Sequence, residues 1–215
     1  MERSRIWRSL QVIARVASTY FFDIRLYGTR NVPKSGGVLL VSNHQSYLDP
    51  VLLAVGLERP LSYMAKSELF RNPLFAWLIR SLNAFPVEQG AGDVGAVKET
   101  IHRLQEGHVL NIYPEGTRSE DGQILPIEKG VGLVIRRAKV PVVPAVIDGA
   151  YRAWGKSMKF PRAVPVRVMF GPPMELAGLD REQIIQRIDQ TLNGMMKDLR
   201  AGRIIQNPPR VVMRR

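Results

Sequence analysis

Short apolar runs (GVLLVS, LSYMAK, HVLNIY, VPVVPAVIDG) recur along this chain with helical patterns between most of them, and this alternation limits the fold more than any other feature. Runs of four to eight apolar residues bounded by turn signals read as buried strands. Val94, Val97, Ile101 and Leu104 recur at helical spacing within residues 93–106, and Gly107 stands where a helix would stop. Ile184, Ile185, Ile188, Leu192, Met195 and Leu199 mark a final helix over 181–199. Between them EKGVGLVIRRAK reads as a helix, while VPVRVMFGPP alternates Val166, Val168 and Phe170 as a half-buried strand. Strands alternating with helices predict a single α/β domain whose central sheet is mostly parallel or mixed and flanked by helices. PLFAWLIRSL, apolar on most sides, reads as a buried helix, and NAFPVEQ as another short strand.

Two of the runs end in polar clusters. GVLLVS leads into NHQSYLDP, and HVLNIY into PEGTRS. Ligands of open α/β sheets bind beyond the carboxyl ends of strands, so the two clusters are placed to converge on one cleft. His44 can accept a proton near neutral pH, and Asp49 can hold the other ring nitrogen and stabilise the imidazolium. The competing reading makes Asp49 the N-cap of a helix that has Pro50 at its first position. In the second cluster Gly116 permits close backbone approach, Thr117 offers a hydroxyl and Arg118 can bind a phosphate through two nitrogens. Glu115 would bind a substrate hydroxyl or hold Arg118 in place; a solvated turn is the alternative.

Composition narrows the chemistry. There is no cysteine, which excludes disulfides and thiolate catalysis, and the 3 histidines are scattered, so no metal site is expected. A net charge of +12 favours an anionic partner: nucleic acid, an acidic membrane surface or phosphorylated substrates. No nucleic-acid-binding motif accompanies the charge, and aromatics are only 7%, so a nucleic-acid partner is not expected.

No apolar stretch is long enough to span a bilayer. In the N-terminal segment Ile6, Leu10, Ile13, Ala17, Tyr20, Phe21 and Ile24 follow helical spacing, opposite a face carrying Arg8, Gln11, Arg15 and Ser18. Such a helix lies in a bilayer interface or packs its apolar stripe on its own domain. The expected division is a surface helix over 1–27, a catalytic domain over 28–200 and a basic tail over 201–215.

Taken together, NHQSYLD (43–49), AKSELFRNPLFAWLIRSLNAFPVEQ (65–89), YPEGTRS (113–119), EKG (128–130) and VPVVPAVIDG (140–149) resemble the ordered blocks of the lysophosphatidic acid acyltransferase family. The resemblance implies transfer of a fatty acyl group from acyl-CoA or acyl carrier protein to the sn-2 hydroxyl of 1-acyl-glycerol-3-phosphate, with no cofactor. It implies His44 as general base and Asp49 as its orienting acid. Glu115, Gly116, Thr117, Arg118, Lys129 and Gln89 would bind the acceptor, and Phe70, Leu74, Phe75, Leu78 and Ile79 would line an acyl-chain groove. Asn83 stands where the family has glycine, and Gln89 where it has a phosphate-binding arginine. Glycerol-3-phosphate, a lyso-ornithine lipid or another lysophospholipid therefore stays open as acceptor. Lipid substrates further imply that the N-terminal helix rests on an anionic membrane surface, at the cytoplasmic face of the cytoplasmic membrane, as a peripheral or monotopic contact.

Overall fold

The computed structural model describes residues 2–87 and 94–203. Gln89 and the tail from residue 204 lie outside the described residues. A 21-residue helix, α1 (Glu2–Phe22), precedes a seven-stranded sheet. Its strands are β1 (Arg25–Tyr27), β2 (Val38–Ser42), β3 (Leu61–Lys66), β4 (Ala84–Val87), β5 (Val109–Ile112), β6 (Val142–Asp148) and β7 (Arg167–Phe170). They lie in the order β1-β7-β6-β2-β5-β3-β4, parallel throughout except where β6 meets β7. The helices are α2 (Asp49–Ala54), α3 (Pro73–Ser81), α4 (Val94–Gln105), α5 (Gly130–Ala138), α6 (Ala150–Trp154) and α7 (Arg181–Arg200). The expected α/β architecture holds, and the sheet is mixed because of that single antiparallel pair.

Successive strand residues alternate between two cores, as the pleat requires. Val38, Leu40, Val143, Ala145, Ile147, Val168 and Phe170 pack with α2, α6 and the inner side of α1 on one face. Leu39, Val41, Leu110, Ile112, Val146 and Met169 pack with α5 and α7 on the other. The segment of Val166, Val168 and Phe170 is thus not half-buried: both its faces are covered, and Met169 is as fully enclosed as its neighbours. Residues 25–27, expected to continue the N-terminal helix, instead form the sheet's edge, paired to β7 from Arg25↔Arg167 to Tyr27↔Met169. Ile24 is accordingly core (5% exposed) and not part of the helix.

Of the two orientations open to α1, the structure does not pack its apolar stripe on the domain, and α3 departs from the expected burial. On α1 the side turned to the domain carries Trp7, Gln11, Ala14 and Ser18, with Gln11 Nε2 donating to Ala54 O at 2.8 Å and Leu57 O at 2.7 Å. Much of the apolar stripe faces outward, with Ile13 64%, Tyr20 74% and Phe21 55% exposed and Val16 beside them at 54%, while Leu10 is half-buried toward α2. Helix α3 buries only Ala76 and Ile79 and exposes Leu74, Phe75 and Trp77, so it is a surface helix and not a buried one. It is capped by Asn72, whose Oδ1 accepts from Phe75 N at 3.0 Å. Asn83, just beyond it, has φ +63°, a left-handed conformation that Asn tolerates better than most residues.

Candidate active site

The site is built where β2 and β5 end side by side, Val41 opposite Ile112. Asn43 continues the ladder with its side chain: Nδ2 donates to Ile147 O at 3.0 Å and Oδ1 accepts from Ile147 N at 2.8 Å. Pinned against β6 and fully buried, Asn43 fixes the direction in which the chain leaves the sheet. This positioning residue was not assigned a role from sequence, although a polar residue ending an apolar run is the signal that could have found it.

The loop then folds back on the first turn of α2. His44 Nδ1 lies 2.7 Å from Asp49 Oδ2, and the same oxygen accepts from Gln45 N at 2.6 Å and Ser46 N at 2.8 Å. Asp49 is wholly buried, and its Oδ1 has no partner among the described residues. The N-cap of α2 is Leu48, so Asp49 does not cap its helix; its carboxylate is turned back onto the loop that carries His44. Three donors on one oxygen keep the carboxylate in a single orientation. With an ionised Asp49 accepting, His44 carries its proton on Nδ1 and leaves Nε2 free to accept another. The imidazole is stacked on Tyr113 at 3.8 Å between centroids, 12° from parallel, which fixes the ring plane.

The second cluster clamps the histidine. Glu115 Oε1 accepts from His44 N at 2.7 Å, Oε2 accepts from Leu125 N at 2.7 Å, and Ser119 N donates to His44 O at 2.8 Å. Glu115 is therefore a buried tie between loops, 3% exposed, with both oxygens taken by main-chain donors and no bond from Arg118 among the described residues. Burial pushes its carboxyl up to about 7; the bonds from Leu125 and His44 oppose the shift, and the nearby Asp49 charge adds to it.

Gly116, at φ +66°, and Thr117 are exposed at the tip of this turn. The Arg118 guanidinium lies over the Tyr47 ring, Cζ 3.7 Å from the centroid, and its Nη1 is buried with no acceptor among the described residues. That nitrogen is an unused donor one residue before Ser119, which bonds His44, and suits an anionic group of a ligand. Lys129 is exposed where α5 begins, next to Glu128, whose N–H donates to Pro114 O at 2.8 Å. Gln89 lies outside the described residues.

The five residues expected to form an acyl groove differ in exposure. Leu74 and Phe75 face outward, Leu78 is half-buried, Ile79 faces the core, and Arg80 covers the Phe70 ring. The apolar cavity beside the site, about 240 Å³, lies instead between α1, α2 and β3, lined by Trp7, Ala14, Pro50, Val51, Tyr63 and Leu82 among others. Its Pro50 wall directly follows Asp49 in the chain. No sequence pattern announces this cavity, because its walls come from four separate segments. Among the described residues no group of three or more His, Asp or Glu side chains is placed to hold a metal ion.

Comparison with known proteins bears on what this arrangement does. A family model described as Acyltransferase matches residues 23–148, from the edge strand to the end of β6. A 1-acyl-sn-glycerol-3-phosphate acyltransferase of Bacillus subtilis (strain 168) is 27% identical over 180 residues, covering 82% of this chain and 87% of that protein. The chloroplastic 1-acyl-sn-glycerol-3-phosphate acyltransferase BAT2 of Brassica napus is 28% identical over 149 residues; the match covers 68% of this chain but only 41% of that longer protein. The crystal structure of the 1-acyl-sn-glycerophosphate (LPA) acyltransferase PlsC from Thermotoga maritima superposes with a TM-score of 0.80 at 27% identity, covering 93% of this chain and 82% of that one.

Proposed function

Because the chain belongs to the acyltransferase family, we propose that it moves a fatty acyl group from acyl-CoA or acyl carrier protein to the sn-2 hydroxyl of 1-acyl-glycerol-3-phosphate, giving phosphatidic acid for phospholipid synthesis. The observation that carries this reading is the His44–Asp49 pair, 2.7 Å apart at the end of β2 with the imidazole held on both its edge and its face. His44 Nε2 accepts the hydroxyl proton as the oxygen attacks the thioester carbonyl. Asp49 stabilises the imidazolium that forms, and the tetrahedral intermediate collapses with the C–S bond breaking. The departing thiolate then recovers the proton from His44. No covalent enzyme intermediate is needed, since the acceptor brings its own nucleophile.

The unused donor of Arg118 supports recognition of the acceptor phosphate, with Gly116 and Thr117 leaving the approach open and Lys129 adding charge nearby. The cavity behind Pro50 is the better candidate for an acyl chain than the surface of α3, because it is walled by apolar side chains and adjoins the catalytic pair. The outward apolar stripe of α1 and the exposed Leu74 and Trp77 of α3 support docking on a lipid surface. A charge of +12 makes that surface an anionic one, such as the cytoplasmic face of the cytoplasmic membrane. The proposed contact is peripheral or monotopic; among the described residues no helix is long and apolar enough to cross a membrane.

The test is acyl transfer by the purified protein on lipid vesicles, with both donors and with a panel of acceptors. Lysophosphatidic acid should be the best acceptor, with His44→Ala inactive. Activity confined to glycerol-3-phosphate, a lyso-ornithine lipid or another lysophospholipid would keep the chemistry and move the acceptor.

A further inference from the structure

Between Asp148, which ends β6, and Glu175 the chain carries Arg152, Lys156, Lys159, Arg162 and Arg167 and no acidic residue. The middle of this segment is a loop, residues 155–163, held in shape by its own bonds. Trp154 Nε1 donates to Met158 O at 3.2 Å, Met158 N to Gly155 O at 3.0 Å, and Arg162 N to Ala153 O at 2.7 Å. The last of these brings the two stems together and leaves Lys159, Phe160 and Pro161 at the exposed tip. Phe160 is 77% exposed, equal highest with Leu74 among the large apolar side chains described. A loop that closed on the domain would have buried that ring; this one holds it out.

The loop flanks the entrance to the site. Trp154 O accepts from Ser46 Oγ at 2.8 Å and Tyr47 N at 3.3 Å, and Lys156 pairs with Glu120 at 2.6 Å, so it is tied to both active-site loops. At its far end Val166 N donates to Phe22 O at 2.9 Å. That bond sets the loop beside the end of α1, where Tyr20 and Phe21 are 74% and 55% exposed.

We propose that residues 155–163 form a second contact with an anionic lipid surface, with the Phe160 ring seated among the head groups and Lys159 and Arg162 paired with lipid phosphates. The inference rests on the lipid-surface reading of α1. An exposed aromatic ring flanked by cations is the combination that favours a bilayer interface, where the ring gains an apolar environment and the charges meet phosphate. Continuity with the apolar stripe of α1 gives the two contacts one plane. A body held at both α1 and this loop turns the mouth beside His44 and Tyr47 toward the surface from which a lipid acceptor must come.

The chain has no cysteine, so a single introduced thiol reports on one place. Full-length Phe160→Cys and, on the opposite side, Gln186→Cys would each be labelled with NBD and mixed with vesicles of phosphatidylglycerol and phosphatidylcholine. Co-sedimentation of the unlabelled protein runs in parallel. The label at 160 should shift to the blue and brighten while the label at 186 stays as in water. Lys159→Glu with Arg162→Glu should weaken vesicle binding at least about tenfold, since each basic residue near such a surface matters by a factor of several. Phe160→Ser should leave turnover of detergent-dispersed substrate unchanged and lower it on vesicles. Protein that sediments with vesicles while the label at 160 stays water-like would overturn the loop contact and leave the α1 reading standing. Failure to sediment at all would overturn both. A blue shift given by acyl carrier protein and not by vesicles would overturn the lipid assignment in favour of a protein partner.

Discussion

The two sides of the sheet are finished differently. On the side of α4, α5 and α7, helices bury their apolar residues and show water a polar surface: α7 encloses Ile184, Ile188, Leu192, Met195, Met196 and Leu199 and presents Glu182, Gln186 and Arg187 outward. Its start carries a full capping box between Asp180 and Gln183. On the side of α1, α3 and α6 the outer surface carries Val12, Ile13, Val16, Tyr20, Phe21, Leu74, Phe75, Trp77 and Phe160, each more than 40% exposed. Apart from Val94 at the start of α4, the other face contributes no large exposed apolar side chain among the described residues. One side shows water a polar surface, and the other an apolar one. His44 stacks on Tyr113, which packs against the core of the second kind of face, so the proposed catalytic pair sits on the side whose outer surface is apolar.

That contrast can be broken by substitution. The largest effect should come from His44→Ala, which removes the proton acceptor and should lower turnover by about 10²–10⁴-fold with the melting temperature unchanged. A loss below tenfold would place the base elsewhere. Next, Leu192→Ala in the water-facing half should cost about 2–5 kcal/mol of stability, read by denaturant unfolding, while turnover per folded molecule and vesicle binding stay as they were.

Ile13→Asp with Val16→Asp should have the opposite signature. Stability should hold, because both side chains already face outward, while vesicle partition falls at least about tenfold from the loss of roughly 1.5–3 kcal/mol of burial per side chain. The control, Gln186→Asp with Gln190→Asp, adds the same charge to α7 and should change partition far less. Equal losses from both pairs would mean that charge alone, and no apolar contact, holds the protein to lipid.

The smallest effect is a slope. Burial raises the Glu115 carboxyl from 4.5 to about 7, so the folded state holds a proton there that the unfolded chain gives up. Its contribution to stability is full below pH 4.5 and is lost as pH rises to about 7. Glu115→Gln should remove that part of the pH dependence, measured as the difference between wild-type and variant unfolding curves across this window. Its amide nitrogen also meets an N–H donor at either His44 or Leu125, so a modest loss of turnover should accompany it. An unchanged slope would show that the proton is held elsewhere.

Much of this was legible in the chain. The order of strands and helices follows from periodicity, and the meeting of the two polar clusters follows from their places after parallel strands. The role of Glu115 was not legible, because a carboxylate beside Thr and Arg reads as a ligand group until its two oxygens are found on main-chain donors from distant loops. The edge strand at 25–27 was missed for a similar reason: three residues carry no period, and only pairing with β7 defines them.

Written in the order of residues alone are the two stripes of α1, one apolar and one polar, the reactive residues that end β2 and β5, and the nearness of His44 to Asp49. Which stripe of α1 meets the domain was left to the folded molecule. Helical spacing separates two faces but does not orient them, and a core normally claims the apolar one. Here carbonyls at Ala54 and Leu57 claim Gln11, and small or flat side chains at Ala14, Ser18 and Trp7 fit the space over α2. Much of the apolar stripe is left outside, uncovered by any other part of the described residues.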